Sequence, residues 1–140
     1  MKKIPTVLVL LFVLVGCEND SKPPFHDGTY RGAFFDRGEM EVNVELRLES
    51  NRVKRATFRY LKYKGECYLT SENERAVLVR GQFQELLDWL TGKEVGSLDQ
   101  LYEPENIISA GVDGLTAATI RSGKVISAVR DALNRGVYSR

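Results

Sequence analysis

Met40-Glu41-Val42-Asn43-Val44-Glu45-Leu46-Arg47-Leu48-Glu49 alternates an apolar with a polar residue at every step. Side chains of a strand point to its two faces in turn, so this stretch is a strand with one buried and one solvated face. The sequence on either side extends the pattern. Ser50-Asn51 forms a turn, since Asn tolerates left-handed backbone, and Val53 to about Tyr63 returns as a partner strand with Ala56, Phe58 and Tyr60 on one face. Upstream, Thr29 to Phe35 carries Tyr30, Gly32 and Phe34 on one face and Arg31, Ala33 and Phe35 on the other. Asp36-Arg37-Gly38 turns that segment into the Met40 strand, which gives a three-strand antiparallel meander.

Beyond the meander the period changes. Phe83, Leu86, Leu87 and Leu90 follow i, i+3, i+4, i+7 spacing, which predicts a helix over Gln82 to Thr91 stopped at Gly92. Ala76 to Val79 either extends that helix or forms a short strand. Trp89 falls off the stripe and covers the helix edge. Lys93 to Gly111 is turn-rich, with a short helical turn at Ser97 to Leu101, and its length suits a loop wrapped over the domain. A last helix starts at Ala118 or Ile120 and runs to Arg135, with Ser122, Ile126, Val129 and Leu133 on one side and Gly136 as its stop. The expected fold class is α+β: an N-terminal antiparallel sheet packed with helices, the C-terminal helix last.

The first residues read differently from the rest. Lys2 and Lys3 precede an unbroken apolar run from Val7 to Val15, the pattern of an export signal. Ile4 to Val15 is too short to span a bilayer, which needs roughly 20 apolar residues. Leu14-Val15-Gly16-Cys17 resembles a bacterial lipobox. The resemblance implies a signal peptide over residues 1–16 and lipidation of Cys17 by diacylglyceryl and further acyl chains such as palmitate. The alternative is an ordinary cleaved signal in which Cys17 is incidental. Glu18 to about Asp27, with Asn19, Asp20, Ser21 and the pair Pro23-Pro24, reads as a tether, so residues 17–27 link the lipid to a domain over 28–140.

Composition then narrows the function classes. The chain has 140 residues with 20 basic and 19 acidic side chains. Removal of the first 16 residues, which carry only Lys2 and Lys3 as charges, leaves 124 residues with 18 basic against 19 acidic. That is one domain with one core. A net charge of −1 lacks the basic field that nucleic acid requires. Two Cys and one His do not make an ordinary structural zinc site. With Cys17 lipidated, Cys67 has no partner, and its place beside Tyr68 and Leu69 suits a small apolar packing group. His26 sits in the tether, away from any rigid nucleophile that it could serve as base.

The chemistry concentrates in Asp113-Gly114-Leu115-Thr116-Ala117-Ala118-Thr119, with Ser122 three positions on. The stretch leads into the last helix, and a helix N-terminus presents unpaired N–H groups and a positive dipole that hold a phosphate. Arg121 and Lys124 near that end are unfavourable for the helix unless an anion offsets them. Alternatively, Thr116 or Thr119 is a simple N-cap.

Together with Asp27-Gly28-Thr29-Tyr30-Arg31-Gly32, this stretch resembles the FMN-binding domain family, the flavinylated domain of the type found in electron-transport complex subunits. That family has an aspartate, two variable residues, Ser or Thr, usually Gly, then Ala-Thr before a helix. The resemblance runs from Asp27 to about Leu133 and implies FMN as cofactor, joined through its phosphate to the Thr119 hydroxyl by a magnesium-dependent flavin transferase. Asp113 would orient the segment for that enzyme. Thr116 and Ser122, with backbone N–H groups near Ala118 and Ile120, are candidates to bind the phosphate, the stretch Gly114, Leu115, Ala117 and Ala118 completes the cofactor-binding segment, and Phe34, Phe58, Tyr60 and Tyr102 are candidates to cover the isoalloxazine. Ala117 stands where the family usually has Gly, a residue suited to left-handed backbone or close approach. The implied function is a membrane-anchored, extracytoplasmic electron carrier between donor and acceptor proteins. Two alternatives remain open: a flavin-free surface lipoprotein serving as a binding or structural module, and an extracytoplasmic flavin reductase.

Overall fold

The computed structural model describes residues 25–108 and 114–140. Cys17, the signal segment and the tether up to residue 24 lie outside the described residues, as does Asp113.

The fold is α+β. Strands β1 (Gly28–Asp36), β2 (Met40–Glu49), β3 (Arg52–Tyr63) and β4 (Glu66–Cys67) form an antiparallel sheet in the order β1-β2-β3-β4. Helices α1 (Glu74–Leu90) and α2 (Leu115–Arg135) follow, separated by 3₁₀ turns at Val95–Tyr102 and Pro104–Asn106. The alternation on β2 holds at every position: Met40, Val42, Val44, Leu46 and Leu48 are all buried. Turn chemistry matches the hairpins. Ser50 and Asn51 both take positive φ, 49° and 60°, and Lys64-Gly65 does the same between β3 and β4. Consecutive positive-φ residues suit the right-handed twist of the strands they join.

Strand β3 departs from strict alternation. Val44 pairs with Phe58 and Asn43 with Tyr60, so Arg59 is an extra residue bulged out of the ladder, and a second shift follows Arg47. A bulge moves every later side chain to the opposite face. Leu61 therefore points into the core opposite Val42, and Tyr60, expected on the same face as Ala56 and Phe58, is turned outward and is 51% exposed. The inward residues of β3 are thus Val53, Ala56, Phe58 and Leu61.

Helix α1 is longer than its apolar stripe. Ala76 and Val79 belong to it, and both are buried with Phe83, Leu86, Leu87 and Leu90. Burying each large apolar side chain contributes about 1.5–3 kcal/mol, which outweighs the roughly 0.5–1 kcal/mol that Gly81 costs in mid-helix. The N-cap fixes the start: Asn73 Oδ1 accepts the amides of Arg75 at 3.0 Å and Ala76 at 3.3 Å. Phe83 meets Phe58 edge to face at 5.9 Å, which joins α1 to β3. Trp89 is half-buried at the helix edge, with the Lys93 ammonium 5.3 Å from its ring centroid. Residues after α1 then extend the sheet margin, where the Val53 amide donates to the Lys93 carbonyl at 2.9 Å and the Gly92 amide to the Val53 carbonyl at 2.6 Å.

Helix α2 lies directly on β1. Gly32 makes this possible, because a Cβ there would run into the Ala128 carbonyl and the Ala132 amide and stand only 2.7 Å from Ala132 Cα. Ala128 and Ala132 are themselves small and fully buried. Asp131 Oδ2 accepts the Ala33 amide at 2.8 Å, and the Tyr138 amide donates to the Thr29 carbonyl at 2.7 Å. The outer edge of β1 is therefore covered by the helix and the C-terminal tail, which removes an exposed row of donors and acceptors.

The segment expected to be pure tether joins the fold at its end. Phe25 packs edge to face on Tyr30 at 6.4 Å, Tyr30 Oη donates to the His26 carbonyl at 2.7 Å, and Asp27 Oδ1 accepts the Ser50 amide at 2.8 Å. Burial holds the Tyr30 phenol above its ordinary pKa. No helix among the described residues is long and apolar enough to cross a membrane.

Candidate functional site

Gly114 opens α2 with φ 85° and ψ 175°, a conformation that L side chains rarely adopt. As N-cap it has no side chain to offer, and the first turn contains no acid. The helix begins at Leu115, earlier than the expected Ala118 or Ile120, because Ala118 already donates to the Gly114 carbonyl at 3.2 Å. The amides of Leu115, Thr116 and Ala117 have no partner within the helix, as geometry requires of a first turn. This early start has three consequences for the motif.

First, neither threonine is an N-cap. Thr116 is the second helical residue and is exposed, while Thr119 lies in the second turn with its hydroxyl donating to the Leu115 carbonyl at 2.9 Å. Back-bonding to the i−4 carbonyl is the ordinary resting state of a helical Thr hydroxyl and leaves its oxygen exposed. Second, Ala117 has ordinary helical backbone, so the residue type that the family usually places there is not needed here for positive φ. The left-handed position is Gly114. Third, Arg121 and Lys124 lie beyond the first turn, where the dipole effect has faded. The dipole penalty expected for them does not apply, and their role has to be found in what they face.

Ser122 is fully buried, and its hydroxyl donates to the Leu101 carbonyl. It ties α2 to the 3₁₀ turn Val95–Tyr102, so in this conformation its oxygen faces protein rather than solvent. Lower on α2, Arg130 donates to Tyr102 Oη at 2.7 Å and to Asp99 at 2.8 Å, which pins the same turn. The other ring candidates are dispersed. Phe34 and Phe58 pack against the core, and Tyr60 and Tyr102 stand at the surface on different elements.

A cleft that sequence reasoning did not find opens on α2. It has a volume of about 250 Å³, and Ala117, Ile120, Arg121 and Lys124 form its α2 wall. The end of the sheet supplies Met40, Tyr63 and Tyr68, and α1 supplies Arg75, Val79 and Phe83. Arg121 Nη1 donates to Oε1 of the buried Gln82 at 2.6 Å, which fixes the guanidinium between the two helices. Burial raises the Tyr68 phenol pKa, with Glu66 and Tyr63 adding to the rise and the charges of Arg75 and Arg121 opposing it. At about 3.6 residues per turn, Ala117, Ile120, Arg121 and Lys124 share one flank of α2 and Thr119 lies on the other, with Ala118, Val125 and Val129 facing the core between them. Thr119 and the cleft are therefore separate features of one helix.

Cys67 ends β4 as a half-buried free thiol. A hydrogen bond with the Thr70 side chain is the largest cause of its lowered pKa, followed by the backbone at Leu69. No group of three His, Cys, Asp or Glu side chains that could hold a metal ion occurs among the described residues. A scan against protein-family models finds no match to the chain, and a search of curated proteins finds none either.

Proposed function

We propose that this chain is an FMN-binding lipoprotein, anchored through Cys17 on the extracytoplasmic side of a membrane, that carries electrons between partner proteins. The observation that carries the reading is the start of α2: a first turn with no acid in it and, among the described residues, no side-chain cap, with Thr116 and Thr119 exposed beside it. The residues present fit the phosphate end of FMN. Amides of Leu115, Thr116 and Ala117 and the positive helix end favour a dianionic group.

In this reading Thr119 Oγ1 would give up its bond to the Leu115 carbonyl and become the phosphoester oxygen, the transferase breaking the pyrophosphate of FAD so that AMP leaves and the Thr119 proton passes to solvent. Thr116 Oγ1, one turn earlier, would be the side-chain donor to that phosphate. Bound FMN supplies one- or two-electron transfer, and the chain supplies position and accessibility. Exposure matters here, because a carrier must bring its redox group to a donor and then to an acceptor. A buried site would serve a self-contained enzyme better.

The test is maturation of the full-length chain with and without a flavin transferase, followed by absorbance and intact mass. Yellow protein with an FMN mass increment, lost in Thr119→Ala and restored in Thr119→Ser, is the expected result. Colourless wild-type protein after maturation would reject the reading in favour of a flavin-free module. Steady turnover by the purified protein with a soluble donor and acceptor would instead identify a reductase.

A further inference from the structure

The two faces of the sheet differ in what they meet. Both helices lie on the face of Val42, Val44 and Leu46, which is fully buried. No helix among the described residues covers the opposite face, where Arg47, Arg55, Thr57, Arg59 and Tyr60 are exposed. Register places Arg31, Glu45 and Thr57 in one row of that face, Ala33, Asn43 and Tyr60 in the next, and Phe35, Glu41 and Lys62 in the third. A solvated sheet face is ordinarily polar, yet this one presents Phe35 at 63% exposure and Tyr60 beside a row of charges. At the β1 edge the Arg31 guanidinium stacks on the Tyr138 ring, 3.9 Å from its centroid, and adds a third half-exposed aromatic.

The charges of this face do not balance. Its cations are Arg31, Arg47, Arg55, Lys62 and the bulged Arg59, against Glu41, Glu45 and Glu49. Three of the cations are met within the face: Glu45 takes Arg31 at 2.7 Å and Arg55 at 3.5 Å, and Glu49 takes Arg47 at 4.0 Å. Glu41 stands opposite Lys62 but gives its Oε1 to the Asn43 amide at 2.7 Å. Arg59 and Lys62 are therefore the surplus, neither with a salt bridge among the described residues, and they flank Tyr60 in sequence. The chain after residue 16 carries a net −1, so this local excess of cations is set against an acidic remainder.

We infer that the open sheet face docks on an anionic phospholipid surface, with Phe35 and Tyr60 at headgroup level and Arg59 and Lys62 on the lipid phosphates. Aromatic side chains suit the boundary between water and acyl chains, and long cations keep their heads at the phosphates while their stems lie along apolar surface. An acidic protein would also complement the cations. Lipid is favoured by reach: from Cys17 to Phe25, where the described chain joins the fold, is eight residue steps, which extend to roughly 30 Å at most. A domain held that close to a bilayer needs only a modest surface preference to settle one face down, and an acyl anchor combined with cations binds more stably than either does alone. The helices, with Thr116 and Thr119, then stand on the side of the sheet away from the lipid. The inference extends the proposed anchoring at Cys17 and is independent of flavin.

The experiment uses residues 17–140 with Cys17→Ser, the chain that signal cleavage leaves without its lipid, because the apolar run of residues 7–15 would itself enter vesicles. Sedimentation with vesicles of phosphatidylcholine, and with vesicles of equal parts phosphatidylcholine and phosphatidylglycerol, should show binding to the anionic set that falls as salt is raised. Each surplus cation strengthens binding by roughly fivefold, so Arg59→Gln with Lys62→Gln should weaken it by about tenfold or more. Phe35→Thr with Tyr60→Thr should weaken it as well, both residues being exposed and so dispensable for the fold. Lys124→Gln, which removes a cation from the helix layer, should leave it unchanged. Equal thermal melts identify variants whose loss is local.

Equal binding to neutral and anionic vesicles would overturn the inference. So would wild-type binding in both face variants, or a loss in Lys124→Gln as large as theirs. Tighter binding to poly-glutamate than to the anionic vesicles, lost in Arg59→Gln with Lys62→Gln, would assign the face to an acidic protein instead. A dimer in size-exclusion chromatography that Phe35→Thr with Tyr60→Thr dissociates would assign it to a second copy. A full chain found without acyl groups on Cys17 fails the anchoring reading and leaves the vesicle titration to decide this one.

Discussion

At the start of α1, Asn73 Oδ1 accepts two first-turn amides and Glu74 places a carboxylate near the positive helix end. At the start of α2, Gly114 brings no side chain, and the first turn is Leu115-Thr116-Ala117 with no acid in it. Both helices carry a buried apolar stripe, so tertiary packing is adequate for each. The difference lies in how the orphan donors are treated. Two of those of α1 are met by the Asn73 side chain, as stability alone would favour, whereas among the described residues no side chain caps those of α2. A helix start left open in a fold that caps its other helix is the physical core of the functional reading.

The largest expected effect concerns the seat of α2 rather than its start. Gly32→Ala forces a Cβ into the backbone of Ala128 and Ala132, which are not flexible side chains that can swing away. Overpacking at such a contact costs typically 1–3 kcal/mol and occasionally more, and this position belongs at the upper end. Chemical denaturation should show a loss of about 3 kcal/mol or failure to fold. A loss below about 0.5 kcal/mol would mean that α2 does not lie on β1 as described.

The next effect addresses the comparison itself. Asn73→Ala removes the acceptor at the start of α1 and should lower stability by about 1 kcal/mol. The smallest effect is expected from Thr116→Ala, which alters an exposed side chain that caps nothing and should stay within about 0.5 kcal/mol of wild type. Equal losses at the two positions would erase the distinction between the helix starts. A large loss at Thr116 would give it a capping role.

Much of the architecture could be read from local pattern. The alternation of Met40 to Leu48, the Ser50-Asn51 turn and the Phe83 to Leu90 stripe each report a face directly, because their period belongs to a single element. Tyr60 was misplaced because one bulged residue, Arg59, inverts the faces beyond it, and a bulge has no periodic signature. The start of α1 was ambiguous because Gly81 interrupts the pattern, although Asn73-Glu74 was a capping signal available in the sequence. The beginning of α2 was set too late for a similar reason, with Leu115 and Thr116 exposed and so adding nothing to the apolar stripe.

Site residues divided along the same line. Those contiguous in sequence, from Gly114 to Thr119, could be singled out together and lie together at one helix start. The cleft could not be found this way, since Met40, Tyr63, Tyr68, Arg75 and Arg121 come from separate elements and meet only after folding. One trace of it was present, the cation Arg75 two residues after an N-cap. Ser122, singled out for the phosphate by its spacing, is drawn into the core by the Leu101 carbonyl.

Intact mass of the full-length chain matured with a flavin transferase tests the central claim most directly. The wild-type chain and Thr116→Ala should carry one FMN increment, and Thr119→Ala should carry none. A wild-type chain without the increment, or a Thr119→Ala chain that keeps it, would contradict attachment at the open start of α2.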